Sequence, residues 1–191
     1  MEQLSLLELK VLDFIQENFQ CRFLDVFFST VTKLADSGIF WILLAVIFLF
    51  FKKTRKTGLM MGAALVFGLV VGNLTQKPLI ARIRPYDLQA DLGVIIPLLN
   101  GTMHDFSFPS GHTIASFEAA VVLLKNSKKL GIPAMILAVL ISFSRLYLYV
   151  HYPTDVLVSI ILGTLFALMG DAIAAKVAPK LAPRKRGRYE A

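Results

Sequence analysis

One cysteine, Cys21, stands in 191 residues, so the chain can form no internal disulfide, and its cysteine usage points to neither an oxidising nor a reducing compartment. Histidines number three, and no Cys/His cluster offers a metal site. The amino terminus lacks a basic region followed by a short apolar core and a small-residue cleavage site, so no removable signal peptide is expected and the first spanning helix must direct insertion. Internal repeats are also missing. Acidic residues are in the minority, 13 against 20 Lys and Arg.

What fills the chain instead is apolar. Hydrophobic residues make up 56% of it and the mean hydropathy is +0.67, beyond the roughly 45–50% of an ordinary soluble domain. Apolar runs lie at about Gly38–Phe51, Gly58–Gln76, Ser110–Leu124, Leu130–Val150 and Thr154–Val177, each near or somewhat below the roughly 20 residues that span a bilayer. The expected fold is therefore an all-α, polytopic membrane helix bundle with five to six transmembrane helices. The first of these is short as a purely apolar run and is expected to begin near Thr32, with Lys52 and Lys53 snorkelling at its far end.

The formal charge of +7 does not imply a nucleic-acid partner. The basic residues gather at Lys52–Lys56, Lys125–Lys129 and Arg184–Arg188, each after an apolar run, which is the pattern of cytoplasmic topology signals. Placing these clusters inside puts the opposite helix ends outside. The segment from Tyr86 to Phe108, which carries Asp87, Asp91 and Asp105 without Lys or Arg, fits an outer loop.

Residues 1–36 are read as an amphipathic, interfacial amino-terminal segment, residues 37–178 as the transmembrane catalytic domain and residues 179–191 as a basic cytoplasmic tail, disordered from Ala182. In the first segment Leu4, Leu7, Val11, Phe14 and Ile15 recur at helical spacing, among more acids than bases, so this helix is expected to pack on the bundle rather than grip anionic headgroups. Residues 22–36 read either as a second interfacial helix or as an imperfect sixth span.

Three stretches carry the chemistry: Lys77–Pro85 (K-P-L-I-A-R-I-R-P), Phe108–His112 (F-P-S-G-H) and Ser144–Asp155 (S-R-L-Y-L-Y-V-H-Y-P-T-D). All fall at the outer ends of helices in the topology set by the basic clusters. Lys77 taken by itself reads as a snorkelling anchor. Pro78 and Pro85, however, shape its segment into a corner, and spacing does not choose which of Arg82 and Arg84 points inward. Pro109 suits a first helical position, which places Ser110, Gly111 and His112 in an opening turn whose free N–H groups can bind an anion. Arg145 closes the fourth span. Asp155 follows His151 by four residues, close enough on a helical turn to accept one ring N–H and leave the other nitrogen as a nucleophile. Such a set can cradle a phosphate, attack it with an imidazole and protonate the leaving group without a metal.

Lys77-x6-Arg84-Pro85, Pro109-Ser110-Gly111-His112 and Ser144-Arg145-x5-His151-x3-Asp155 together resemble the three-part signature of the type 2 phosphatidic acid phosphatase (PAP2) superfamily, which includes bacterial membrane lipid phosphatases and vanadium haloperoxidases. The resemblance implies that His151 attacks phosphorus to form a phosphohistidine, that Asp155 holds its ring and that His112 protonates the leaving oxygen. Lys77, Arg84, Arg145, Ser110 and the Gly111 backbone would hold the nonbridging oxygens. Arg82 is not placed by the signature. No cofactor is implied.

The expected substrate is a lipid phosphate or diphosphate such as undecaprenyl diphosphate, phosphatidylglycerol phosphate or phosphatidic acid, met at the outer face of the plasma membrane. A transporter or binding protein for anionic lipid is the alternative, but it leaves the His151–Asp155 pair without a task. Glu118 is expected to have a packing role, hydrogen-bonded to a Ser or Thr. His104 and Asp105 are expected in a solvated loop, and Asp171 at the inner interface.

Overall fold

The computed structural model describes residues 2–181, and the basic tail from Ala182 onward lies outside the described residues. The described chain is helical: α1 (Glu2–Phe19), α2 (Arg22–Lys33), α3 (Ile39–Phe50), α4 (Arg55–Phe67), α5 (Lys77–Ile80), α6 (Pro85–Asp91), α7 (Gly111–Asn126), α8 (Lys128–Tyr147) and α9 (Pro153–Leu181). Four helical stretches are long and apolar enough to cross a membrane: Arg22–Phe50, Arg55–Asp91, Lys128–Tyr147 and Pro153–Lys176. At 16 residues α7 is shorter, about 24 Å of helix. It nevertheless runs through the middle of the bundle, packed on α4, α8 and α9, with Ile114, Phe117, Ala119, Ala120, Val122 and Leu123 buried.

Small residues let these helices approach closely, as membrane bundles without a hydrophobic drive between helices require. A Cβ on Gly163 of α9 would stand 2.7 Å from the Ile114 carbonyl of α7, so glycine sets that spacing. The Trp41 indole of α3 donates to Ser116 Oγ of α7 at 3.1 Å. The second span does not run as one regular helix. After Phe67 it widens into a π-helical stretch from Gly68 to Gln76 before reaching Lys77.

The first candidate span, Arg22–Phe50, reaches back beyond Thr32 but is not one continuous helix. A short 3-10 turn at Asp36–Gly38, with Ser37 (φ 52°) and Gly38 (φ 67°) both left-handed, separates α2 from α3. A helix cannot continue through that conformation, so α3 starts at Ile39.

α1 does pack on the bundle, against α8 and α9, but with a face rotated from the one expected, of whose five residues only Ile15 is buried. Ser5, Glu8, Leu9, Leu12 and Ile15 are buried, whereas Leu4, Leu7, Val11 and Phe14 are exposed. The reason lies under the helix, where Glu8 meets two donors described below. Leu9, Leu12, Ile15 and Phe28 form a second apolar cluster with Tyr147, Tyr149 and Tyr152, joining α1 and α2 to the α8–α9 corner. Tyr149 and Tyr147 donate to Asp13 and Asp25, each at 2.6 Å.

The chain order places Lys52–Lys56, Lys125–Lys129 and Lys176 at one end of the bundle. There Lys125 pairs with Asp171. The other end carries the chemistry.

Candidate active site

At that other end α5 stops where Ala81 turns left-handed (φ 48°). Arg84 is extended (φ −78°, ψ 155°), as a residue before proline prefers, and Pro85 opens α6. Arg82 and Arg84 stand two residues apart, a spacing that shares one side of an extended chain, with the exposed Ile83 between them; both turn inward, to different partners. Arg84 is 2% exposed. Its Nη1 donates to the Val150 carbonyl at 2.6 Å and lies 3.4 Å from His151 Nε2.

Arg82, which the motif left out, supports the other side of the same histidine. It donates to Asp155 Oδ1 and Glu8 Oε2, each at 2.5 Å, to Ser5 and Thr154, and stacks over the Tyr152 ring at 3.8 Å. Glu8 also accepts from the Thr154 backbone N–H at 2.6 Å. This bond caps the first turn of α9 and explains why α1 buries a carboxylate while leaving leucines outside.

Asp155 is fully buried. Its Oδ2 accepts from Ser107 Oγ at 2.5 Å and from the Tyr152 N–H at 3.0 Å, and lies 3.5 Å from His151 Nδ1. The last distance is long for a hydrogen bond, but it sets the ring with Nδ1 toward the carboxylate and Nε2 toward Arg84. Burial pushes the His151 ring down to about 3. The positive charges of Arg84 and Arg145 add to that effect, and the Asp155 contact opposes it. The ring is therefore neutral at physiological pH, the state a nucleophile needs.

α7 begins two residues later than the proline suggested. Ser110 is the extended cap (ψ 104°), and Gly111 and His112 are the first two helical residues. Their N–H groups have no partner within the helix by position. Ser110 faces away from the cleft: its N–H donates to Ser159 Oγ at 2.8 Å and its hydroxyl accepts from Thr113 at 3.0 Å. His112 Nε2 stands 2.9 Å from Asp36 Oδ1 in the α2–α3 turn. Arg145, 1% exposed, donates to Thr32 Oγ1 at 2.5 Å from the end of α8.

Lys77, Arg84, Gly111, His112, Arg145 and His151 all line one cavity of about 970 Å³. Ser110 and Asp155 sit behind its wall. From the charged end the cavity descends between α3 and α4 along Ile42, Ala45, Leu49, Gly58, Gly62 and Leu65, an apolar cleft shaped for a chain.

Asp105 is not a solvated bystander. It pairs with Lys77 and, at 2.5 Å, with Arg84 Nη2. Burial works against its charge, but the hydrogen bonds and charges of Lys77 and Arg84 outweigh that and hold its carboxyl at about 2. Among the described residues Glu118 finds no Ser or Thr. Both its oxygens are buried without a side-chain hydrogen-bond partner there, packed against Gly68, where a Cβ would collide with the carboxylate. Among the described residues no three His, Cys, Asp or Glu side chains gather as a metal-holding group.

The geometry can be set beside known proteins. Residues 55–177 match the sequence model of the PAP2 superfamily. An undecaprenyl-diphosphatase of Sulfolobus acidocaldarius is 35% identical over 134 residues, covering 70% of this chain and 63% of that protein, so the chain spans somewhat less than two thirds of that relative. The undecaprenyl-diphosphatase BcrC of Bacillus subtilis is 32% identical over 154 residues, covering 78% of this chain and 77% of that protein. The crystal structure of LpxE from Aquifex aeolicus superposes with a TM-score of 0.73 at 28% identity, covering 85% of this chain and 93% of that one.

Proposed function

The chain belongs to the PAP2 superfamily, and on that premise we propose that it is an integral membrane lipid phosphatase that hydrolyses a terminal phosphate from a lipid phosphate or diphosphate through a phosphohistidine on His151. The observation that carries this reading is one cavity joining His112, His151 and the cations Lys77, Arg84 and Arg145 to an apolar cleft between α3 and α4. A phosphate tethered to a hydrocarbon tail fits both halves at once, and the tail need not leave the bilayer.

Lys77, Arg84, Arg145 and the Gly111 N–H neutralise the nonbridging oxygens, so positioning and charge neutralisation supply most of the rate. Nε2 of neutral His151 attacks phosphorus, with Asp155 and Arg82 fixing the ring from behind. His112 gives a proton to the departing oxygen. Water then attacks phosphorus, His112 takes its proton, and the P–N bond breaks to return His151. Asp105 must leave Lys77 and Arg84 for a phosphate oxygen to take its place.

Among substrates, polyprenyl diphosphates come first, because two relatives are named as undecaprenyl-diphosphatases. Phosphatidylglycerol phosphate and phosphatidic acid follow. The basic clusters favour an orientation in the plasma membrane with the site on the extracytoplasmic side. The division into an interfacial segment 1–36 and a catalytic part 37–178 is retained, amended in that Glu8 and Asp36 of the first segment reach the site.

The test is phosphate release from a panel of these three lipids by purified protein in detergent, beside the His151→Ala variant. The reading predicts release by the wild type that His151→Ala abolishes. Binding of the lipids without release would instead favour a carrier of anionic lipid.

A further inference from the structure

The acid His112 has a partner that none of the three motifs contains. Asp36 lies outside the residues 55–177 that match the family, in the turn between α2 and α3, and its Oδ1 stands 2.9 Å from His112 Nε2. Two features show that this corner is built into the site. Consecutive left-handed residues, Ser37 and Gly38, fold the chain back at once so that Asp36 faces the start of α7. Four residues earlier, Thr32 accepts a 2.5 Å hydrogen bond from Arg145, a second tie between the same corner and the phosphate pocket. The Asp36 side chain remains 57% exposed while His112 is 17% exposed, so the carboxylate keeps its hydration on one side and orients a ring that has little.

We propose that Asp36 is a positioning residue that holds the Nε2–H of His112 and leaves Nδ1 as the nitrogen that exchanges a proton with substrate and water. The inference rests on the proposed phosphatase reading, in which His112 is the acid. In the first half-reaction Nδ1–H transfers its proton to the bridging oxygen as the P–O bond breaks and its electron pair stays on that oxygen. The alcohol leaves neutral, and the His112 ring keeps its Nε2–H on Asp36. In the second half-reaction Nδ1 takes a proton from the water whose oxygen bonds to phosphorus, while the P–N electron pair returns to His151. Asp36 thus accepts the same N–H throughout and fixes which nitrogen works.

The experiment compares wild type, Asp36→Asn, Asp36→Glu, His112→Ala and the Asp36→Asn/His112→Ala double variant as full chains in detergent. Substrates are a lipid phosphate, with its poor alkoxide leaving group, and 4-nitrophenyl phosphate, with a good one. General acid help is worth about 10²–10⁴-fold. Asp36→Asn should therefore lower kcat on the lipid about 10–100-fold, with KM within about twofold and the aryl ester within about threefold. Asp36→Glu should restore part of the loss, and Asp36→Asn should add nothing in the His112→Ala background. Equal losses on both substrates, or additive losses in the double variant, overturn the proposal.

A second readout does not depend on turnover. In 15N-histidine spectra, the resonances that His112→Ala removes should show a proton on Nε2, and Asp36→Asn should shift them. Unshifted resonances overturn the pairing. Failure of the wild type to release phosphate from either substrate would defeat the phosphatase reading alone, and the spectra would still decide whether Asp36 holds His112.

Discussion

Gly62 offers a direct probe of where the lipid tail goes. It lines the apolar cleft in α4, and a Cβ built there meets nothing within 4 Å. It precedes Lys77 by 15 residues, at most about 22 Å of helix because Gly68–Gln76 is the wider and shorter π-helix, so it lies roughly two thirds of the way down a hydrocarbon core of about 30 Å. In Gly62→Phe the ring projects into the cleft at that depth, and losing a helix-interior glycine does not weaken α4. The usual value of about 0.8 kcal/mol per buried methylene does not apply, because a tail expelled from the cleft enters lipid or detergent that is equally apolar. What is lost is packing, at about 0.1–0.2 kcal/mol per atom contact. About ten displaced contacts then amount to about 1–2 kcal/mol, or roughly 5–30-fold in kcat/KM.

The assay is phosphate release from undecaprenyl diphosphate, geranyl diphosphate and 4-nitrophenyl phosphate by both proteins in the same detergent. Only the long tail reaches position 62, so only it should suffer. An equal loss on the short-tailed and tail-free substrates, or no loss on the long one, would refute the placement of the tail between α3 and α4.

Three further outcomes follow from the site. Arg82→Ala leaves Asp155 and Glu8 as buried carboxylates without their cation, so it should destabilise the protein by about 3 kcal/mol or more, seen as a lower Tm in detergent, and Arg82→Lys should not restore it because one ammonium cannot replace the fork; an unchanged Tm contradicts the network. Asp105→Asn frees Lys77 and Arg84, and since Asp105 is half exposed the gain is about 1 kcal/mol, so orthophosphate should compete about three- to tenfold better, whereas weaker competition would mean that Asp105 helps to bind substrate. His151, held at about 3, should show neutral-ring 15N shifts unchanged from pH 8 down to pH 5; because the shift is downward, charging begins only in stronger acid, and a midpoint near the ordinary histidine value of about 6.5 would place the ring in water.

Much of the site was legible because its parts are local in sequence. Asp155, in the first turn of α9, follows by four residues a His151 that stands just before the helix rather than on it, proline fixes the corner before α6, and a Gly-His pair starts α7. Bundle geometry then gathers these helix ends without further instruction. The residues that reasoning missed are those whose roles are tertiary. Arg82 and Arg84 stand two apart in a short non-helical stretch, where that spacing shares a side, so spacing does not tell their partners apart. Glu8 is one of the acids of α1, which on an amphipathic helix in water would belong to the wet face. In a membrane bundle the polarity of that rule reverses, since the outward face meets apolar surroundings and the inward face satisfies buried cations. Asp36 and Asp105 stand in turns whose direction depends on left-handed residues or on the cationic pocket itself. The one signal available beforehand was charge: acids in loops at the outer end, facing a set of cations that needed partners.

The most direct measurement is rapid-quench trapping of phosphoenzyme from a 32P-labelled lipid phosphate. The account predicts acid-labile, base-stable label on His151 during turnover, increased in His112→Ala if release of the phosphohistidine becomes limiting and absent in His151→Ala. Turnover that persists in His151→Ala, or label carried on any other residue, would contradict it.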